Sequence, residues 1–195
     1  MAEITQTIKE NLQELIERPI QNWHQLESLM TLKKFKKGEH FFQHFDHCDE
    51  VAIVSKGLFR IYLTDSEGEE KTYSFIPENS FILDFFLSWE QSSRTMVSVQ
   101  ALEDSELYTL KYKNFLELMN LDSVWHQIYR EILLRNYMYK TKREMEFVQF
   151  NAKERLEKFI ENKRLDVNRI PKTYLASYLG IQPPSLSRLL RELKN

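Results

Sequence analysis

Glycine and proline divide this 195-residue chain into stretches that cannot share one kind of structure. Gly38, Gly57 and Gly68 fall early, and the next glycine is Gly180; no proline lies between Pro77 and Pro171. Glycine marks turns that need positive φ and proline withholds a backbone donor, so a stretch with neither is free to run as helix. The punctuated part, about residues 32–111, reads instead as short strands. Phe59, Ile61 and Leu63 alternate with Arg60, Tyr62 and Thr64, the period-two pattern of a half-buried strand. Asp65-Ser66-Glu67-Gly68 makes a turn, and Lys71 to Ile76 returns as the hairpin partner. Thr95, Val97, Val99 and Ala101 alternate in a later strand, and Glu106 to Lys111 forms another. Short strands at this spacing predict a sandwich or roll of the jelly-roll kind.

From Asn114 to about Phe150 the composition turns to Leu, Glu, Arg, Lys and Met, without Gly or Pro. Asp122 or Ser123 caps a predicted helix running to about Phe147, with Trp125, Ile128, Ile132 and Tyr139 near one face and Arg135 interrupting it. Such a helix spans ~37 Å, more than a small roll needs to cover itself. Pairing with its copy in a second subunit is the simplest use of the excess. A further amphipathic helix is expected over Ala152 to Asn162, burying Leu156, Phe159 and Ile160.

The C-terminal stretch from Arg169 to Asn195 reads as two short helices around a tight turn. Leu175, Ala176 and Leu179 give the first a compact apolar stripe, and Gly180 supplies the turn. The second opens with Pro183 and Pro184, tolerated because first-turn N–H groups have no intrahelical acceptor. Leu186, Leu189, Leu190 and Leu193 then form one face, while Pro184, Arg188 and Arg191, flanked by Ser185 and Ser187, occupy the other. A leucine face below and arginines with small hydroxyls above is what a DNA-reading helix-turn-helix needs. The charge balance agrees. Residues 151–195 hold 10 Lys+Arg against 5 Asp+Glu, a net +5, and residues 1–150 hold 17 against 24, a net −7. A basic tail on an acidic body is expected when only the tail meets a polyanion. A single cysteine, Cys48, permits no internal disulfide, and no stretch approaches the ~20 apolar residues of a membrane span. A cytoplasmic location without membrane contact is the expectation.

Roll, long helix and helix-turn-helix, in that order, resemble the cyclic-AMP receptor protein/Fnr (Crp/Fnr) family of transcription regulators, and the compact members common in the Bacteroidetes in particular. The resemblance covers nearly the whole chain. It is carried by Gly38-Glu39, Ile53-Val54-Ser55-Lys56-Gly57, the Gly68 hairpin, Arg155-Leu156, and Ala176, Gly180, Leu186, Ser187, Arg188 and Leu189. It implies an α+β chain with a β-roll sensor domain and N-terminal helices over residues 1–120. A dimerisation helix follows over 121–150, and a winged-helix-like helix-turn-helix domain over 151–195. It further implies a homodimer on a pseudo-palindromic duplex operator, no enzyme activity, no resident cofactor, and RNA polymerase as a further partner. Arg188 has the fork to hold guanine O6 and N7, Ser185 and Ser187 can donate to bases or phosphates, and Lys172 and Arg191 suit phosphate. The family's usual base-reading glutamate is replaced by Pro184, which puts the usual half-site in doubt. Leu165 to Ile170 is too brief for a full β-wing.

The family's cyclic-nucleotide pocket is only half matched. Arg94-Thr95 fits its phosphate-holding pair, but the preceding Gly-Glu is missing, with Asp84 a shorter, displaced acid, and Thr141 is the counterpart of an adenine-reading residue. Without the glycine a Cβ obstructs close approach of the backbone to phosphate, so cyclic AMP is not the expected effector. Arg94 can equally pair with Asp84 or Glu90, and Phe81, Phe85, Phe86 and Trp89 can fill the pocket or pack on the long helix. His40, His44, His47 and Cys48 follow no standard metal spacing and read as a surface turn, and the acidic neighbours Asp46, Asp49 and Glu50 disfavour a reactive thiolate. Two alternatives accompany the regulator: a cupin-like metal-dependent enzyme built on the three histidines, and a ligand-binding module whose helical tail binds protein.

Overall fold

The computed structural model describes residues 2–83, 94–163 and 165–193. Among the described residues two N-terminal helices, α1 (Ala2–Ile16) and α2 (Trp23–Leu29), precede eight strands in two antiparallel four-stranded sheets. One sheet has the order β1 (Thr31–Phe35), β8 (Ser105–Lys111), β3 (Glu50–Lys56), β6 (Phe81–Ile82). The other is β2 (His40–Phe42), β7 (Ser98–Ala101), β4 (Phe59–Thr64), β5 (Glu70–Ile76). Their inner faces enclose Phe42, Val54, Phe59, Ile76, Val99 and Leu107. This is the roll that the strand spacing predicts.

Helices α3 (Tyr112–Leu121) and α4 (Ser123–Gln149) follow β8. The Asp122 carboxylate accepts from Val124 N at 2.9 Å and caps α4. Trp125, Ile128 and Ile132 bury the first half of α4 in a cluster shared with α1, α2 and α3. The second half meets β5 through Tyr139 and Arg143. Helix α5 (Ala152–Glu161) begins at a full capping box between Asn151 and Glu154. It buries Leu156 and partly covers Phe159, but Ile160 is exposed rather than buried as its spacing suggests. A 3₁₀ turn, Val167–Arg169, stands where a wing would be, and among the described residues no strand follows β8. The chain ends in α6 (Lys172–Leu179) and α7 (Pro183–Glu192).

Two strands depart from strict alternation. The β4–β5 register shifts between Ile61 and Tyr62; Tyr62 is buried beside Arg60, and Leu63 is exposed. Arg60, placed by alternation on a solvated face, is 1% exposed because the C-terminal helices cover it. Strand β7 begins at Ser98, later than the alternation from Thr95 implies. Thr95 is occupied elsewhere: it exchanges backbone hydrogen bonds with Phe45 and Asp46, and its hydroxyl donates to Gln43 O at 2.6 Å.

Candidate nucleic-acid interface

Helix α6 ends where Gly180 takes φ +70°, and Ile181 N returns to Ala176 O at 3.0 Å. That left-handed residue reverses the chain into α7 in one step. Gln182 N-caps α7 in extended backbone, and Pro183 and Pro184 fill positions whose N–H groups would have no intrahelical acceptor. Leu175, Ala176, Leu179 and Leu186 are all buried, so the two helices are fixed against each other. Leu189 and Leu190 cover the same core in part, while Leu193 at the end is exposed. The outer face carries the predicted residues. Lys172, Arg188 and Arg191 are exposed, and Ser185 and Ser187 are half-buried. Arg188 is held loosely by Glu192 at 3.9 Å, and Arg191 Nε donates to Ser187 O at 3.4 Å. Gln182 and Pro184 are exposed beside them.

This unit has no core of its own. Leu58, Phe75 and Leu102 of the roll share one cluster with Leu156, Ile170, Leu175, Tyr178, Leu179 and Leu186. Polar contacts tighten the seam. Ser177 Oγ accepts from Thr72 N at 2.9 Å and donates to Glu70 O at 3.3 Å. The Arg60 guanidinium lies 4.2 Å from the Tyr62 ring and 3.6 Å from that of Tyr174, and pairs with Glu70 and Gln100. Arg169 spans Glu78 at 2.7 Å and Glu103 at 2.6 Å. From the other side Arg143 donates to Tyr178 O at 3.0 Å and Arg155 to Leu179 O at 2.9 Å, tying the last turn of α6 to α4 and α5. No single-sequence signal marks these long-range pairs.

The ion pairs make the docking pH-dependent. Burial alone would raise the Glu78 carboxyl, but the hydrogen bond from Arg169, its own backbone N–H and that of Gly57 together hold it below the ordinary carboxylate range. Hydrogen bonds to Glu78 and then Glu103 hold the Arg169 guanidinium above its usual value, so it stays charged throughout. The contribution of the pair is therefore complete above the ordinary carboxylate range and is lost as pH falls through the lower folded value. Arg169→Ala should cost of order 1 kcal/mol near neutral pH, these charges being partly screened, and nearly nothing in acid. Urea midpoints at pH 7 and pH 3 check this; an equal loss at both would refute the electrostatic account.

The predicted effector residues do not converge. Arg94 donates to Phe45 O at 3.3 Å, Thr95 is consumed by Gln43, and Thr141 lies on the outer side of α4 beside exposed residues. Asp84, Phe85, Phe86, Trp89 and Glu90 lie outside the described residues, whereas Phe81 packs on the cluster that contains α4. Instead a cleft of about 730 Å³ opens between α1, the β5–β6 region and α4, and Arg94, Thr95 and Thr141 are not among its lining residues. The histidines separate: His40 Nε2 meets Tyr62 Oη at 2.9 Å, His44 stacks on Phe45, and Cys48 is buried. Burial, then the nearby Arg60 charge, pushes the His40 imidazole down. Among the described residues no three His, Cys, Asp or Glu side chains gather as a metal site.

Residues 32–122 match the family model described as cyclic nucleotide-binding domain. The match spans the strands of the roll from β1 to β8, together with α3. Beyond that match, the described chain shares its fold with the Crp/Fnr regulators. It superposes on FixK2 from Bradyrhizobium japonicum with a TM-score of 0.73 at 18% identity, covering 85% of this chain and 84% of that one. CooA from Carboxydothermus hydrogenoformans gives 0.72 at 18% identity over 94% and 84% of the two chains. CLP from Xanthomonas campestris, a c-di-GMP responsive global regulator, gives 0.71 at 14% over 88% and 89%. No curated protein matches the sequence. Among the described residues no helix is long and apolar enough to cross a membrane.

Proposed function

We propose that this chain is a homodimeric transcription regulator, and not an enzyme, that reads a pseudo-palindromic DNA operator with α7. The observation that carries the proposal is the outer face of α7, where Arg188 and Arg191 stand exposed over a fully buried Leu186. A rigid helix with a basic, hydroxyl-flanked face matches the major groove in width and in donor chemistry. The fold supports the same role, since CLP, on which the chain superposes, is a global regulator. Arg188 reads guanine, Ser185 and Ser187 donate to bases or phosphate, and Lys172 and Arg191 hold phosphate. Two copies pair along α4, which spaces the recognition helices about one DNA turn, ~34 Å, apart. RNA polymerase is the further partner such a regulator implies, and the cytoplasm its place of action.

Footprinting on the cell's own upstream DNA tests the proposal. Protection of a palindrome is expected, with affinity falling steeply as salt rises. Arg188→Ala should cost about 1–3 kcal/mol and relax preference at one base pair. Arg191→Ala should weaken all sequences alike and reduce the salt slope by about 1. Weak binding without sequence preference in the unmodified protein would sink the proposal.

A further inference from the structure

The cleft and the helix-turn-helix are joined by a line of hydroxyls. Ser74, on β5, and Tyr139, on α4, both line the cleft, and Ser74 Oγ donates to Tyr139 Oη at 3.3 Å. Tyr139 Oη in turn shares a hydrogen bond with Tyr178 Oη at 3.1 Å. Tyr178 is 9% exposed and sits on α6, one residue from Ser177, which holds the edge of β5. Burial, and then the neighbouring Tyr139, push the Tyr178 hydroxyl well above its ordinary pKa, so it remains a neutral donor and acceptor.

We propose that the cleft takes an uncharged polar small molecule, and that Tyr139 passes its occupancy to α6 through Tyr178. The inference rests on the regulator proposed above and supplies its input. A volume of about 730 Å³ suits a small organic ligand. Glu14 and Glu17 oppose Arg135 on the lining, while Glu78 is engaged by Arg169, so the cleft disfavours an anion. In this relay Tyr139 donates to Tyr178 while the cleft is empty, and an occupant that presents a carbonyl or hydroxyl oxygen to Tyr139 takes that proton instead. Tyr178 is then left with the Arg143 side chain and little water to replace Tyr139, so the docked position of α6 weakens. By linkage, whatever loosens α6 then favours the occupied cleft by the same factor.

A tethered occupant tests this without an identified ligand and without DNA. Asn11 lines the cleft from α1. An Asn11→Cys protein is labelled to completion with neutral N-benzylmaleimide or with a sulfonated analogue, and amide hydrogen exchange over residues 172–180 is followed by mass spectrometry. The neutral label should raise exchange there at least threefold, and Tyr139→Phe in the same protein should abolish the rise. Ser74→Ala, which leaves the tyrosine pair in place, should retain most of it. No rise on full labelling, or an equal rise in Tyr139→Phe, overturns the relay. An equal effect of the sulfonated label overturns the charge assignment. Because the readout is exchange, failure here is distinct from failure to bind an operator.

Discussion

Glutamate at both Met138 and Met145 is expected to leave the protomer folded, convert dimers to monomers and weaken operator binding by ~100-fold or more. In the second half of α4, Leu134, Met138, Met145 and Val148 are 51%, 57%, 55% and 87% exposed. With Thr141 between them, they recur at alternating steps of four and three, the a/d seam of a paired helix. Among the described residues these four side chains are more than half exposed, so charging Met138 and Met145 removes little internal contact. Trp125, Ile128 and Ile132, which hold α4 to the roll, lie an earlier stretch away. In the proposed regulator each half-site alone would bind weakly, and a dimer converts the second contact into an intramolecular one. Sedimentation velocity and a melting curve separate the outcomes. A variant that stays dimeric, or one that becomes monomeric yet keeps full operator affinity, would refute the seam as the dimer interface.

The same helix shows what the sequence made legible. Its length and cap could be read because residues between Gly68 and Gly180 lack glycine, and Asp122 accepts from Val124 as an N-cap should. Alternation located β4, whose Phe59 and Ile61 face the opposite sheet, and the Gly68 turn placed β5 as its hairpin partner. What alternation could not show is how β4 is covered from outside. Arg60 looks like a solvated residue until Tyr174, more than a hundred positions later, closes over it. The Arg169 pairs with Glu78 and Glu103 are similarly remote. The outer face of α7 was legible from period alone, whereas the sensor was not. A family pattern points to Arg94 and Thr95, but local backbone geometry has already claimed both.

Gly57→Ala is expected to destabilise the chain by about 3–5 kcal/mol, a large share of the ~5–15 kcal/mol available to a folded domain. Gly57 makes the β3–β4 turn at φ +94°, where an L side chain is strained. A Cβ there would also meet Ser105 Oγ, with the Ser105 Cβ at 2.6 Å and its Cα at 2.8 Å. The last of these is backbone of β8, a strand paired on both sides, so it cannot step aside. Gly38 and Gly68 provide the control. Both have similarly positive φ, but a Cβ at either has nothing within 4 Å, so alanine there should cost only about 1 kcal/mol. The damage at residue 57 should also reach the C-terminal helices. Gly57 N donates to Glu78 Oε1 at 2.9 Å, and Glu78 is one of the two carboxylates that hold Arg169. Displacing the turn therefore loosens the docking of α6 as well as the roll. Urea unfolding of the three alanine variants checks the ranking. Equal midpoints for Gly57→Ala and Gly68→Ala would show that β8 yields and that the close approach at Ser105 is not what requires glycine.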